Sequence, residues 1–281
     1  AGGFLSRTDP MARILSGERL SKRVLSHLKK KRKKGLTLAV LQVGKNAVSE
    51  KYIAEKRKAA SFLGVAFRLV KVPSSVSQRQ LTKRIAALGR DKKISGMIIQ
   101  LPLPPALNTQ EVLDGIPSEK DVDVLSSASF SDFALGRLSV LPPTVGAISM
   151  LLHETKKPLE ETRVAVVGAG RLVGLPVALW AAQQGAQISL IQKGTRNAAR
   201  VISKADIVIS GVGKPGLITG KMVKKGAVVI DAGTSVEGGS TKGDVDFESV
   251  SKKASFLTPV PGGVGPLTVA CLFYNLFSLH G

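Results

Sequence analysis

Residues 38–43, 65–72 and 96–101 are short, nearly continuous apolar runs. Between them lie longer stretches, 47–63 and 77–88, in which apolar and charged residues recur at helical spacing. Strands alternating with helices predict βαβ units and a parallel sheet covered on both faces. A helix is predicted over 21–34, ahead of the first strand, and Pro102, Pro104 and Pro105 stop the third strand. A short helix is predicted over 108–116. Residues 125–143 are Ser-rich, lack a period and read as a loop. A second alternation then begins: helix 145–153, strand 163–167, helix 172–184, strand 187–191, helix 197–204, strands 207–210, 227–231 and 256–257, and an apolar closing helix over 266–279. The expectation is an α/β chain of two domains joined near residue 145, with the active cleft between them.

Composition narrows the function. At 43% hydrophobic and 4% aromatic, the 281 residues can build a sizeable aliphatic core, which excludes wholesale disorder. One cysteine, Cys271, excludes a disulfide framework and a multi-cysteine metal site; within an apolar helix it reads as core. His27, His153 and His280 are scattered, so no metal site is expected. Every apolar run is broken by Gly, Pro or charge, so no membrane span is expected. The net charge is +21, of which residues 1–150 carry +15. Such a balance attracts polyanions. The densest run, Lys29 to Lys34, reads as a solvated helix end before Gly35 rather than a nucleic-acid patch, because no RNA-binding aromatic motif or helix-turn-helix pattern accompanies it. Residues 1–10 lack the apolar core of a secretory signal, and Met11-Ala-Arg-Ile-Leu has the look of a native start.

Val164-Ala-Val-Val-Gly168-Ala169-Gly170-Arg-Leu-Val-Gly174 reads as a strand entering a glycine-rich turn and then a helix. Gly168 permits the tight turn, Gly170 lets backbone approach a pyrophosphate, and the helix N-terminus offers free N–H groups. The following strand ends Gln192-Lys193-Gly194-Thr195-Arg196, with no acid to hold a ribose hydroxyl. Lys193 and Arg196 suit a ribose phosphate instead, so NADP is favoured over NAD. In the first half, Tyr52 and Lys56 are four residues apart on a predicted helix and share a face. Alone, that pair reads as ordinary helix surface. Gln100 closes a buried strand at the carboxyl end, where open α/β sheets bind ligands.

The motifs Tyr52-x-x-x-Lys56, Gln100-Leu-Pro-Leu-Pro, Lys120-Asp-Val-Asp123, Gly243-Asp-Val-Asp-Phe247 and Thr258-Pro-Val-Pro-Gly-Gly-Val-Gly-Pro266 occur in this order. The chain, over nearly its whole length, resembles the bifunctional methylenetetrahydrofolate dehydrogenase/methenyltetrahydrofolate cyclohydrolase family. The resemblance implies an N-terminal α/β catalytic domain, 11–145 plus 266–281, and a Rossmann-type domain, 146–265, with a deep cleft between them. It implies oxidation of methylenetetrahydrofolate with NADP (NAD as alternative), hydrolysis of the methenyl product to formyltetrahydrofolate, and a place in one-carbon metabolism and purine biosynthesis. By matching position, Tyr52 stacks on the folate, Lys56 is the key catalytic group, Gln100 tunes it and Asp123 holds the pterin edge. Leu101, Pro261 and Gly262 line the folate pocket. Gly168, Ala169, Gly170, Gly174, Lys193, Arg196, Val212, Gly213, Gly233, Thr234 and Thr268 bind the nucleotide. The resemblance further implies a homodimer through the nucleotide domains, where Trp180 is a packing or dimer residue. It implies a substrate with a glutamate tail that a cationic rim captures, no membrane or nucleic-acid partner, and a cytoplasmic location, with an organellar matrix as the alternative.

The chain departs from the family pattern in places. Ala169-Gly170 stands where the family commonly has Arg-Ser, Gln192-Lys193 where it has His-Ser, and Pro142-Pro143-Thr144-Val145 where it has Pro-Cys-Thr-Pro. Val124 replaces a glycine, and a β-branched residue fits poorly at positive φ, so the loop beyond Asp123 is expected to differ in shape. Three other readings are weighed: a dehydrogenase-only member using NAD, a shikimate-dehydrogenase-like reductase, and a basic nucleic-acid-binding protein. The reductase leaves the 258–266 string unexplained.

Overall fold

The computed structural model describes residues 11–31 and 33–280; the expectation for residues 1–10 lies outside them. In chain order the elements are β1 (Arg13–Ile14), α1 (Gly17–Lys30), β2 (Thr37–Val43), α2 (Ala47–Leu63), β3 (Ala66–Val72), α3 (Gln78–Arg90), β4 (Gly96–Ile99), α4 (Thr109–Leu113), α5 (Ser127–Ala134) and α6 (Pro143–His153). There follow β5 (Arg163–Val167), α7 (Gly174–Gln183), β6 (Gln187–Ile191), α8 (Ala198–Ile202), β7 (Ile207–Ser210), β8 (Val228–Asp231), β9 (Ser235–Glu237), β10 (Ser240–Lys242), α9 (Phe247–Ser251), β11 (Phe256–Leu257) and α10 (Val264–Leu279). The described residues fall into two compact units, 18–147 with 266–280, and 11–17 with 148–265.

The first unit is built on a parallel three-stranded sheet in the order β3-β2-β4. Its central strand is apolar from Leu38 to Leu41 because both faces are covered. Leu38 and Val40 pack with α1, α2 and α10, through Leu28, Ile53 and Phe273 among others. Ala39, Leu41 and Val43 pack on the other face against Leu81 and Ile85 of α3 and Val112 of α4. Helix ends follow local chemistry. Asn46 caps α2 by accepting from the Ser49 N–H, and Ser77 with Gln80 forms a capping box on α3. α10 completes the unit: Leu272, Phe273 and Leu276 are buried in its core, and Leu276 lies against Gly96.

The second unit is a six-stranded parallel sheet in the order β1-β11-β8-β7-β5-β6. β5 is the first strand after α6 and lies between β6 and β7, so the winding reverses at β5/β7, the switch point where doubly wound sheets bind nucleotides.

Several expectations are corrected. Helix 21–34 runs from Gly17 to Lys30 instead, with Glu18 in its first turn and Lys29 and Lys30 in its last, as the helix dipole favours. The loop expected over 125–143 contains α5, whose N-terminus is capped by the Ser126 hydroxyl accepting from the Ser129 N–H. Residues 11–17, expected with the first domain, belong to the other unit. The Arg13 N–H donates to the Ser255 carbonyl and the Leu15 N–H to the Leu257 carbonyl, both at 2.9 Å, which makes β1 an edge strand. Val124 takes φ 57°, the left-handed conformation a glycine would adopt, and is fully buried.

Candidate active site

Lys56 sits in the middle of α2, facing the sheet, and is only 9% exposed. Its Nζ donates to Gln100 Oε1 at 2.9 Å. Gln100 follows β4, and its Nε2 donates to the Leu101 carbonyl at 2.9 Å, which turns the amide oxygen toward the amine. Ser49, one turn before Tyr52, donates its hydroxyl to the same carbonyl at 3.2 Å. Asp123 is close enough to couple with Lys56. Burial lowers the Lys56 pKa and raises that of Asp123, and the attraction between the two opposes both shifts. Tyr52 lies one helical turn before Lys56 and is partly exposed. The fold thus gathers Tyr52, Lys56, Gln100, Leu101 and Asp123 in the first unit.

The loop carrying Asp123 is held by groups that the motif alone does not reveal. Lys120 Nζ donates to the carbonyls of Gly89 (2.6 Å) and Asp91 (2.9 Å) at the end of α3. The buried Asp121 carboxylate accepts from the N–H groups of Ser126 (2.8 Å) and Leu125 (3.1 Å). Asn275 of α10 donates to the carbonyls of Val122 (2.9 Å) and Leu141 (2.8 Å). These contacts, with burial of its own side chain, hold Val124 at a φ that costs a β-branched residue ~1–3 kcal/mol. Gln42, buried on β2, keeps an amide nitrogen with no hydrogen-bond partner among the described residues.

The second unit assembles the other group of candidates at the carboxyl ends of its strands. Gly168 ends β5 at φ 95°. A Cβ on Gly174 would collide with the Gly168 carbonyl, so α7 can start this close only at a glycine. A Cβ on Gly170 would meet nothing within 4 Å. Packing therefore does not demand that glycine, and the space beside its Cα is open. Ala169 lies between them. Lys193 and Arg196 are exposed in the turn after β6, which the Gln192 N–H closes by donating to Thr195 Oγ1 at 2.9 Å. Val212 and Gly213 follow β7, and Gly233 and Thr234 follow β8. Pro261 and Gly262 lie in the turn after β11, where Gly262 has φ 102°. Thr268 is not brought into this unit; it is on α10, in the first. Behind the β7 and β8 loops lie Asp231 and Asp244, both buried. Burial pushes the Asp231 carboxyl up to about 6, with the Asp244 charge adding and N–H donors from Val245, Asp244 and Gly233 opposing.

Two further expectations concern packing residues. Cys271 is buried in α10 and burial pushes its thiol up to about 12, so it is inert core. Trp180 is buried on α7.

Family models match both units. Residues 15–123 match the catalytic domain of tetrahydrofolate dehydrogenase/cyclohydrolase, and residues 142–280 match its NAD(P)-binding domain. The chain belongs to this family. It is 38% identical over 272 residues to the bifunctional protein FolD of Geotalea daltonii, covering 94% of this chain and 97% of that one. The crystal structure of the bifunctional FolD of Campylobacter jejuni superposes with a TM-score of 0.91 at 35% identity, covering 95% of this chain and 98% of that one. The Trypanosoma brucei dehydrogenase-cyclohydrolase, solved with NADP and an inhibitor, gives 0.91 at 32% identity, covering 96% and 97%. Membership in this family accounts for the motif order. No helix among the described residues is long and apolar enough to cross a membrane.

Proposed function

We propose that the chain oxidises 5,10-methylenetetrahydrofolate to the methenyl form with NADP and hydrolyses that product to 10-formyltetrahydrofolate. The observation that carries this reading is a buried lysine amine, lowered in pKa and hydrogen-bonded to a glutamine that is itself held in orientation, in a chain of this family. Hydride transfer needs two carbons held in near-attack contact more than it needs a proton carrier. NADP, when bound, supplies the hydride acceptor. Hydrolysis of the cationic methenyl carbon needs a base for the attacking water. A neutral Lys56 amine can keep donating to Gln100 Oε1 while its lone pair takes that proton. Tyr52 stacks on the folate ring, Asp123 pairs with its amino-pyrimidine edge, and Leu101 lines the pocket beside them. Lys193 and Arg196 take the ribose phosphate in place of the family's Arg-Ser. The strongly basic first half receives a glutamate tail by charge attraction. The enzyme works as a homodimer, in the cytoplasm or an organellar matrix, and feeds purine synthesis.

The test follows reduced-nicotinamide absorbance with methylenetetrahydrofolate, run with NADP and NAD in parallel, and methenyl absorbance for the second step. Faster turnover with NADP, together with methenyl loss above the spontaneous rate, is the expected result. Turnover with NAD alone overturns the cofactor assignment. Absence of both reactions from folded protein overturns the reading.

A further inference from the structure

Two of the motif strings, 243–247 and 258–266, contain buried groups for which neither reaction step has a use. Thr258 is fully buried, and its Oγ1 accepts from the Asp231 N–H at 2.7 Å. Asp231 Oδ1 accepts from the N–H groups of Gly233 (3.0 Å) and Asp244 (3.1 Å), and Oδ2 from that of Val245 (2.9 Å). Asp244 is itself fully buried. Its Oδ2 accepts from the Ser210 hydroxyl and the Val212 N–H, and its Oδ1 from the Lys214 N–H, each at 2.7 Å. One carboxylate therefore shapes the whole loop after β7, and a second carboxylate fixes the backbone that presents the first.

The glycines around the pair are set by it. A Cβ on Gly233 would collide with the Asp244 carboxylate, and one on Gly243 with the Asp231 carboxylate. Both Gly233 and Gly243 are thus needed for the carboxylates to reach the strand ends, whatever ligand is bound.

We infer that Asp244, backed by Asp231 and Thr258, is a positioning residue for the nucleotide: it holds the 211–214 loop, as Asp231 holds the 232–234 turn, in the shape that receives the dinucleotide. The inference rests on the NADP reading of these loops given above. Neither carboxylate touches the nucleotide in this scheme. Their oxygens are already taken up by the protein's own donors, so they act through backbone placement.

The test uses the full chain with Asp244→Asn and Ser210→Ala. An amide puts a donor where an N–H must be accepted, so Asp244→Asn loosens the loop. Ser210→Ala removes one of its three supports. Asp244→Asn is expected to raise the NADP Kd and KM about tenfold or more, since a small misplacement of a binding loop is costly. Ser210→Ala is expected to raise them about threefold, the worth of one hydrogen bond. Methenyl hydrolysis, which uses no nucleotide, is the internal control and changes less than twofold. Hydrogen exchange at the Val212 and Lys214 amides, measured without ligand, accelerates in Asp244→Asn. If Asp244→Asn does not fold, Ser210→Ala carries the test. Unchanged NADP affinity beside a wild type that binds NADP overturns this inference alone. A parallel fall of both activities also overturns it, since it marks a general loss of structure. A wild type that binds neither NADP nor NAD overturns the nucleotide reading as well.

Discussion

Both units bury charge at the carboxyl ends of parallel strands, but they spend it differently. In the six-stranded unit the oxygens of Asp231 and Asp244 accept from backbone N–H groups and one hydroxyl. In the three-stranded unit the Lys56 amine leans on a single side-chain amide, with an acid nearby. A charge consumed by backbone makes shape. A charge left with protons to give or take makes chemistry. The same contrast explains why one site is rich in glycine and the other in titratable side chains.

The sharpest way to break this contrast is Lys56→Gln. Methenyl hydrolysis is expected to fall ~10²–10⁴-fold, the usual worth of a general acid-base group. Hydride transfer should fall much less, and equal retention of both activities would remove Lys56 from its role. Next in size is the pH dependence of Asp231. Its pKa is about 6 in the folded chain against 3.8 for the ordinary carboxyl. Between these values the native state holds a proton that the unfolded state has lost. Stability from this group is therefore fully present below pH 3.8 and is lost as pH rises through 6, by roughly 3 kcal/mol at 1.36 kcal/mol per unit. Urea midpoints of wild type and Asp231→Asn, compared at pH 5 and 7.5, should show wild type losing ground to the variant at the higher pH. Parallel behaviour would mean Asp231 stays ionised and wholly structural. Asp206 and Glu237, held low by Lys224 and Lys242, act in the opposite direction only in more acid solution.

A smaller effect tests the binding side. Gly174→Ala drives a methyl into the Gly168 carbonyl and should cost about 1–3 kcal/mol of stability in thermal melts, as overpacking does, while raising the NADP KM. No change in either would show that α7 can back away from the turn. The smallest expected effect is Val124→Gly. It relieves ~1–3 kcal/mol of strain, forfeits ~1.5–3 kcal/mol of side-chain burial and adds chain entropy to the unfolded state. The melting temperature should drop slightly, equivalent to about 1 kcal/mol. A clear rise would mean that strain dominates at the Asp123 loop.

Legibility in the sequence followed the same division. Strands such as 38–43 and 163–167 stand out because burial on both faces demands nearly continuous apolar runs. α5 did not, because its Ser-rich turn depends on a cap at Ser126 rather than a period. β9 and β10 form a hairpin around Gly238 and Gly239, both at positive φ, and strands of three residues leave too short a pattern to stand out from the loops beside them. β1 is two residues long and its pairing partner lies more than 240 residues away, so no local pattern could announce it. At the site, Tyr52, Lys56, Gln100 and Asp123 were legible through their motifs. Ser49, Asp121 and Asn275 were not, because their work is to accept from or donate to backbone whose path only the fold defines.

The packing of α10 has a consequence for synthesis. The core of the first unit is closed by Leu272, Phe273 and Leu276, which the ribosome delivers after all of residues 148–265. At ~5–20 residues per second this leaves the α1–α2 face of the sheet uncovered for on the order of ten seconds. β1, made first, likewise waits for Phe256 and Leu257 before it has a strand to join. The first unit cannot close its core until the whole of the second has been made, and the exposed apolar face in that interval is where a chaperone would act.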